Sequence, residues 1–332
     1  MTENKVIDHI KRITSTLLKE PLQHDEVVKN INEIHSHFKQ ITEITGYDTN
    51  IEHLAAIPTA KGSALGLNYA AQCLVDYKRT VKFLKGIIAA IKEKQAKHPG
   101  ELIQIFYAGC GPYATLFTLT APHFTPEEVQ FTLLEINENS VDVAKKLIHS
   151  LELDNYVQEF YVADAVTFKI PNPTTFHMVI SETLDALLYR ECYVPIVFNL
   201  LSQVRKDVTL IPENVVIEMS LIKDIKEDQS FKEKRIETVL DVRNTITHHG
   251  DHQLMPAQLP DKEIDLSVLD IDTYEGILLD TKVHVYHDIW LDRNESSLTL
   301  PLNIALNKPV LSKSAIFTYY LEPEIELKCT FQ

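Results

Sequence analysis

The segment E-L-I-Q-I-F-Y-A-G-C-G-P (101–112) reads as a short apolar strand that ends on glycine. The chain holds only 9 glycines in 332 residues, yet two of them fall in the tripeptide Gly109-Cys110-Gly111. Glycine lets a backbone approach a ligand closely, and in open α/β sheets ligands sit at the carboxyl ends of strands. Working outward, V-Q-F-T-L-L-E-I (129–136), V-Q-E-F-Y-V-A-D (157–164), H-M-V-I-S-E (177–182) and V-T-L-I-P (208–212) are further strand candidates. Between them lie a partly helical stretch from Ala114, a helical stripe of Val141, Ala144, Leu147 and Leu151 with Ser140 as its N-cap, and P-I-V-F-N-L-L-S-Q-V (195–204). Continuous apolar runs alternating with helices predict a parallel sheet covered on both faces.

The flanks differ from this core. Ile10, Ile13 and Leu17, then Val27, Ile31, Ile34, Phe38 and Ile41, then Leu74, Val81, Leu84, Ile88 and Ile91 are apolar stripes at helical spacing. After Pro212 the chain turns to alternating β-branched and aromatic residues, as in N-V-V-I-E-M-S-L-I (214–222) and A-I-F-T-Y-Y-L (315–321). The mixed-charge stretch 223–237 reads as a solvated face or loop. The organisation is a helical N-terminal region (1–98), a Rossmann-like α/β domain (99–212) and a β-rich, barrel-like C-terminal domain (213–332).

Lys and Arg number 32 against 47 Asp and Glu, a net charge of −15. Such a field repels a nucleic-acid backbone and attracts a cationic substrate. Four scattered cysteines, Cys73, Cys110, Cys192 and Cys329, form no disulfide framework, which places the chain in a reducing, cytoplasmic setting. No apolar run reaches the length of a membrane span, and no membrane partner is expected. His248-His249-Gly250-Asp251-His252 lacks the spacing of a metal site and reads as a polar loop, so no metal is expected.

Three strand ends carry binding chemistry. Gly109 and Gly111 close the first strand. Glu135 at the second offers a carboxylate to the cis-diol of a ribose. Asp164, beside Ala165 at the third, offers an acceptor to an adenine amino group. A dinucleotide fingerprint needs a third glycine and a P-loop needs Lys-Ser/Thr, and neither is present. An adenosine without a pyrophosphate fits, which points to S-adenosyl-L-methionine as cofactor. The fourth strand runs into S-E-T-L-D-A-L-L-Y-R-E (181–191), where Glu182 and Glu191 are two acceptor-only groups suited to a guanidinium fork. Asp185 lies between them without a clamp role.

With these residues in view, the S-E-x8-E segment resembles the double-E loop of the protein arginine methyltransferases. L-V-D-Y-K-R-T-V-K-F (74–83) resembles that family's D-x-x-R-T-x-x-Y segment, G-C-G-P its motif I, L-L-E-I-N (133–137) its post-motif I, and L-I-P-E-N-V-V-I (210–217) its joint to a β-barrel. The resemblance implies a class I methyltransferase core with Arg79 on the cofactor's carboxylate, Glu135 on its ribose, and Glu182 and Glu191 as catalytic residues. It also implies a homodimer. Departures stand at Tyr107, Ala70 and Tyr113, where the family carries an acid, a histidine and a glycine, and Asp288-Ile289-Trp290 keeps only the tryptophan of its T-H-W loop. The reading is an N-methyltransferase of free arginine or an arginine-like small metabolite. The alternatives are a methyltransferase of arginine side chains in a protein and a catalytically silent binding or dimerisation module.

Overall fold

Two amphipathic helices open the chain, α1 (Asn4–Leu17) and α2 (His24–Thr42). The computed structural model describes residues 4–225, 230–248 and 255–332; His249 to His252 of the histidine-rich segment lie outside them. Ile10, Ile13 and Leu17 of α1 and Ile31, Ile34 and Phe38 of α2 are buried, as their spacing requires. His9 Nε2 and Glu33 Oε1 join the two helices at 2.6 Å. A strand pair, Ile57–Pro58 with Ser63–Ala64, follows and is absent from the helical expectation for this region. It is too short to show periodicity. The longest helix, α3 (Tyr77–Lys97), then leads into the sheet.

Five strands form that sheet: β1 (Ile103–Ala108), β2 (Val129–Glu135), β3 (Val157–Val162), β4 (Met178–Ser181) and β5 (Thr209–Ile211). Their order is β3-β2-β1-β4-β5 and every pairing is parallel. This is a Rossmann-like arrangement, with the strand order reversing between β1 and β4. The connecting helices are α4 (Thr115–Thr120), α5 (Glu138–Ser150) and α6 (Tyr193–Leu201). The cap of α5 is Asn137 rather than Ser140: the Asn137 side chain accepts from Asn139 N and Ser140 N, and Ser140 lies inside the helix. The capping residue sits at the end of the turn that follows β2, four residues ahead of the first apolar position, so the apolar stripe alone misplaced the start.

The C-terminal part is two antiparallel sheets. The larger contains β6 (Asn214–Ile225), β7 (Ser230–Asp241), β9 (Gly276–Tyr286) and β10 (Ile289–Leu291) in the order β10-β9-β6-β7, with β11 (Leu302–Ala305) also on β9. The smaller is β8 (Lys262–Asp265), β12 (Ser314–Tyr320) and β13 (Glu326–Phe331), in the order β8-β12-β13. The mixed-charge stretch read as a solvated face or loop is largely strand β7, whose residues 232–235 are exposed. Consecutive strand residues point to opposite faces, so with both faces exposed here the strand shows no apolar alternation and looks like a loop.

Helix α3 is the joint between the two halves. Gly86 on α3 admits β9 so closely that a Cβ there would meet Val285 Cγ1 at 2.7 Å. Asp76, just before α3, accepts hydrogen bonds from Ser296 Oγ, Ser297 N and Ser297 Oγ at 2.7–2.9 Å. Glu93, near its far end, accepts from Tyr286 Oη at 2.6 Å. Among the described residues no helix is long and apolar enough to cross a membrane.

Candidate functional site

At the carboxyl ends of β1, β2 and β4 the chain leaves the sheet around a cavity of about 870 Å³, counting its open mouth. Gly109 (φ +74°) and Gly111 (φ +67°) turn the backbone through the left-handed region, where L side chains are strained. A Cβ at Gly109 would also meet Thr183 Cγ2 at 2.2 Å, so this turn requires glycine twice over. A Cβ at Gly111 would meet only Ala70, at 3.8 Å, leaving a shallow cradle beside its N–H. Tyr113 stands where the resembled family carries a glycine. Its buried ring packs edge-on against Phe38, and its hydroxyl donates to Ile44 O at 2.6 Å, which docks the end of α2 on this loop.

Glu135 closes β2 and is buried. Its two oxygens accept from Gly111 N and Asn137 N, both at 2.9 Å. Burial raises its carboxyl above the ordinary range, and these backbone donors oppose the rise. Asp164, after β3, accepts from Val166 N at 2.9 Å and from Ala60 N at 2.6 Å. The second bond reaches into the N-terminal region. The segment around the Ile57–Ala64 strand pair therefore crosses the cavity as a strap. Its far side is tied by Ser63 N donating to Arg190 O at 3.2 Å, and a bridge pairs Ser63 with Glu191.

The two glutamates of the 182–191 segment both line this cavity, together with Arg79, Gly109, Gly111, Glu135, Asp164 and Ala165. Residues from four strand ends and from α3 are thus brought to one place. Trp290 does not line it; it stacks on His284 with centroids 4.1 Å apart. Arg79 Nε donates to Glu182 Oε1, and both side chains are at least nine-tenths buried. The Glu182 carboxyl sits above its ordinary value because burial outweighs the Arg79 charge. Glu191 makes no side-chain hydrogen bond or ion pair among the described residues. Burial pushes its carboxyl up to about 8, with Arg79 opposing and Asp185 and Glu182 reinforcing the rise.

The loop between the two glutamates is held from outside the parallel sheet. Leu187 and Leu188 both have positive φ (61° and 55°), a strained pair for leucine. Leu187 N donates to Thr281 Oγ1 of β9 at 2.7 Å, and Tyr319 of β12 donates to Leu188 O at 2.7 Å. Asp185 accepts from Tyr189 N at 2.8 Å and from Arg190 N at 3.2 Å, so its place is structural. Thr281, Tyr319 and the strap carry no sequence signal near the motifs; their part in the site is a matter of tertiary packing. Tyr107, in place of the family's acid, lines the cavity, and burial with the nearby Glu182 holds its hydroxyl protonated. Cys110 is buried too, and burial holds its thiol protonated, the state of a packing residue rather than a nucleophile.

No family model matches this chain, and no curated protein matches it. Among solved structures, the Trypanosoma brucei PRMT1 enzyme–prozyme heterotetrameric complex with AdoHcy is similar over 78% of this chain and 95% of that one, at 9% identity and a TM-score of 0.48. Likeness at that level assigns nothing to the cavity, whose chemistry rests on its own residues.

Proposed function

We propose that this chain is an S-adenosyl-L-methionine-dependent N-methyltransferase acting on a guanidino group, on free arginine or an arginine-like small metabolite. The observation that carries the reading is the placing of Glu182 and Glu191 in one cavity with the glycine turn, Glu135 and Asp164. Arg79 adds a second support: Glu182 already accepts a guanidinium donor in this cavity.

The residues present fit the cofactor. The Gly111 cradle leaves room beside a backbone N–H, Glu135 presents a carboxylate at the end of β2, and Asp164 with Ala165 lies at the end of β3. Arg79 supplies a cation for its carboxylate. When bound, the cofactor supplies an electrophilic methyl group on sulfur.

The chain's own residues do the rest. Two carboxylates orient a guanidinium by paired acceptors and draw its positive charge away from the attacking nitrogen. A guanidinium has a pKa above about 12, so it is not deprotonated beforehand. Glu191, which makes no side-chain bond among the described residues, ionises as the guanidinium enters and is then the proton acceptor. Glu182 is occupied by Arg79 and serves to orient. The strap shields the reacting atoms from water.

Labelled S-adenosyl-L-methionine offered with free arginine and with an arginine-rich peptide tests this reading. Label in arginine is the expected result. Label only in the peptide moves the assignment to protein side chains, and label in neither, with the cofactor bound, leaves a silent binding module. The resemblance further implies a homodimer, which light scattering would remove by giving a mass near 37.9 kDa.

A further inference from the structure

A second cavity lies against the first, on the other side of the strap. Thr59 and Ser63 line both. Neighbouring residues of the clamp loop divide between them: Glu191 lines the inner cavity and Arg190 the outer. The outer cavity is an open groove of about 1,110 Å³ that also takes in Lys61, Tyr189, Glu322 and Glu324.

Its charges are of both signs and are not all spent. Lys61 and Glu322 form an ion pair with one another. Arg190 makes no ion pair among the described residues; its guanidinium lies over the Tyr189 ring, 5.0 Å from the centroid, which limits its orientations. Glu324 has no ion-pair or hydrogen-bond partner among the described residues. Among the described residues, one cation without an ion pair and one anion whose charge reaches Lys328 without a hydrogen bond thus share a groove that adjoins the carboxylate clamp. A peptide substrate presents neutral amides at its main chain, whereas a free amino acid presents one carboxylate and one ammonium.

We propose that this groove is the subsite for the α-carboxylate and α-ammonium of a free amino acid, with Arg190 binding the first and Glu324 the second, while the guanidino end reaches Glu191 beside Ser63, whose backbone pairing with Arg190 and Glu191 parts to admit it. This rests on the guanidino reading above and narrows its substrate to the zwitterion. Arginine has the right form: a flexible chain separates its planar cation from its charged head, so the two ends can occupy different cavities. The Arg190 fork suits bidentate carboxylate pairing.

The test compares kcat/KM for L-arginine, for agmatine, which lacks the carboxylate, for Nα-acetyl-L-arginine, which lacks the ammonium, and for an arginine-containing peptide. L-Arginine is expected to lead each of the others by about tenfold or more, the scale of one charge-assisted hydrogen-bonding pair. In Arg190→Gln the ratio of L-arginine to agmatine should fall towards one. In Glu324→Gln the ratio of L-arginine to the acetylated compound should do the same. Calorimetric binding of S-adenosylhomocysteine confirms that each variant is folded. Agmatine or the peptide methylated as well as L-arginine overturns the subsite and leaves the guanidino reading standing, as does an Arg190→Gln variant that keeps the wild-type ratio. Methylation of none of the four overturns both.

Discussion

The cavity has two ends built in different ways. At the end proposed for the cofactor, Gly109, Gly111 and Glu135 are held within the β1 and β2 connections: Glu135 takes its donors from Gly111 and Asn137, one strand away and two residues on. At the end proposed as the clamp, Glu182 and Glu191 sit on a loop with two left-handed leucines, fixed by Thr281 and Tyr319 from both antiparallel sheets and by the strap from the N-terminal region. A site end made of sequence-adjacent parts forms with its sheet. One made of imported parts exists only after the whole chain is packed, and the strained leucines show what those contacts over-determine.

The largest expected effect lies at the clamp. Glu191→Gln keeps the size of the side chain but cannot ionise, and it keeps a donor facing the substrate's donors. Turnover should fall by about a hundredfold or more, the scale of losing an oriented electrostatic contact in a reacting site. Cofactor affinity by calorimetry should stay close to wild type. Wild-type turnover in this variant would sink the clamp assignment.

Glu182→Gln should differ in kind. It strips the buried Arg79 of its counter-charge, so turnover should fall together with stability, by about 3–5 kcal/mol on the scale for breaking a buried pair. Urea titration of the two Gln variants side by side measures this. Equal midpoints would show that the Arg79 pairing contributes nothing in solution.

At the cofactor end, Glu135→Ala should weaken S-adenosylhomocysteine binding by about 1–3 kcal/mol, the range for losing a charged hydrogen-bond acceptor. Tyr319→Phe sharpens the contrast from the opposite side, since it leaves Leu188 O buried without its donor. It should lower kcat while leaving cofactor affinity unchanged. Loss of cofactor affinity in Tyr319→Phe would mean the two ends are not independent.

The last effect expected is a slope in pH. The Glu191 carboxyl rises from the ordinary 4.5 to about 8 on folding, so the folded chain holds a proton that the unfolded chain releases. Its contribution to stability is full below about 4.5 and is lost as pH rises through about 8. Thermal melts across that window should show a decline that Glu191→Gln flattens. Activity should run the other way, rising with pH as Glu191 ionises to receive the guanidinium. Parallel slopes for wild type and variant would remove the raised carboxyl.

The resemblance and the strand-end reading named eight residues that line one cavity, although they come from positions 79 to 191. They were legible because each stands at a strand end or in a fixed-spacing motif, and periodicity locates strand ends. Asp185 was legible only as a neighbour. Its bonds to Tyr189 N and Arg190 N depend on a loop conformation that spacing does not encode. Charge hid strand β7 in the same way, because residues 232–235 are exposed on both faces and carry no apolar alternation.

By itself the sequence determined the alternation of strand and helix, the glycine turn and the order of the acidic groups, since these follow from local periodicity and from residue chemistry at given positions. Tertiary structure alone decided that Arg79 lies on Glu182, that Thr281 and Tyr319 hold the clamp loop, and that the strap divides the cavity from the groove of Arg190 and Glu324. Those contacts join residues as much as 131 positions apart. Pairing across such separations depends on how whole sheets dock, and no local propensity specifies it.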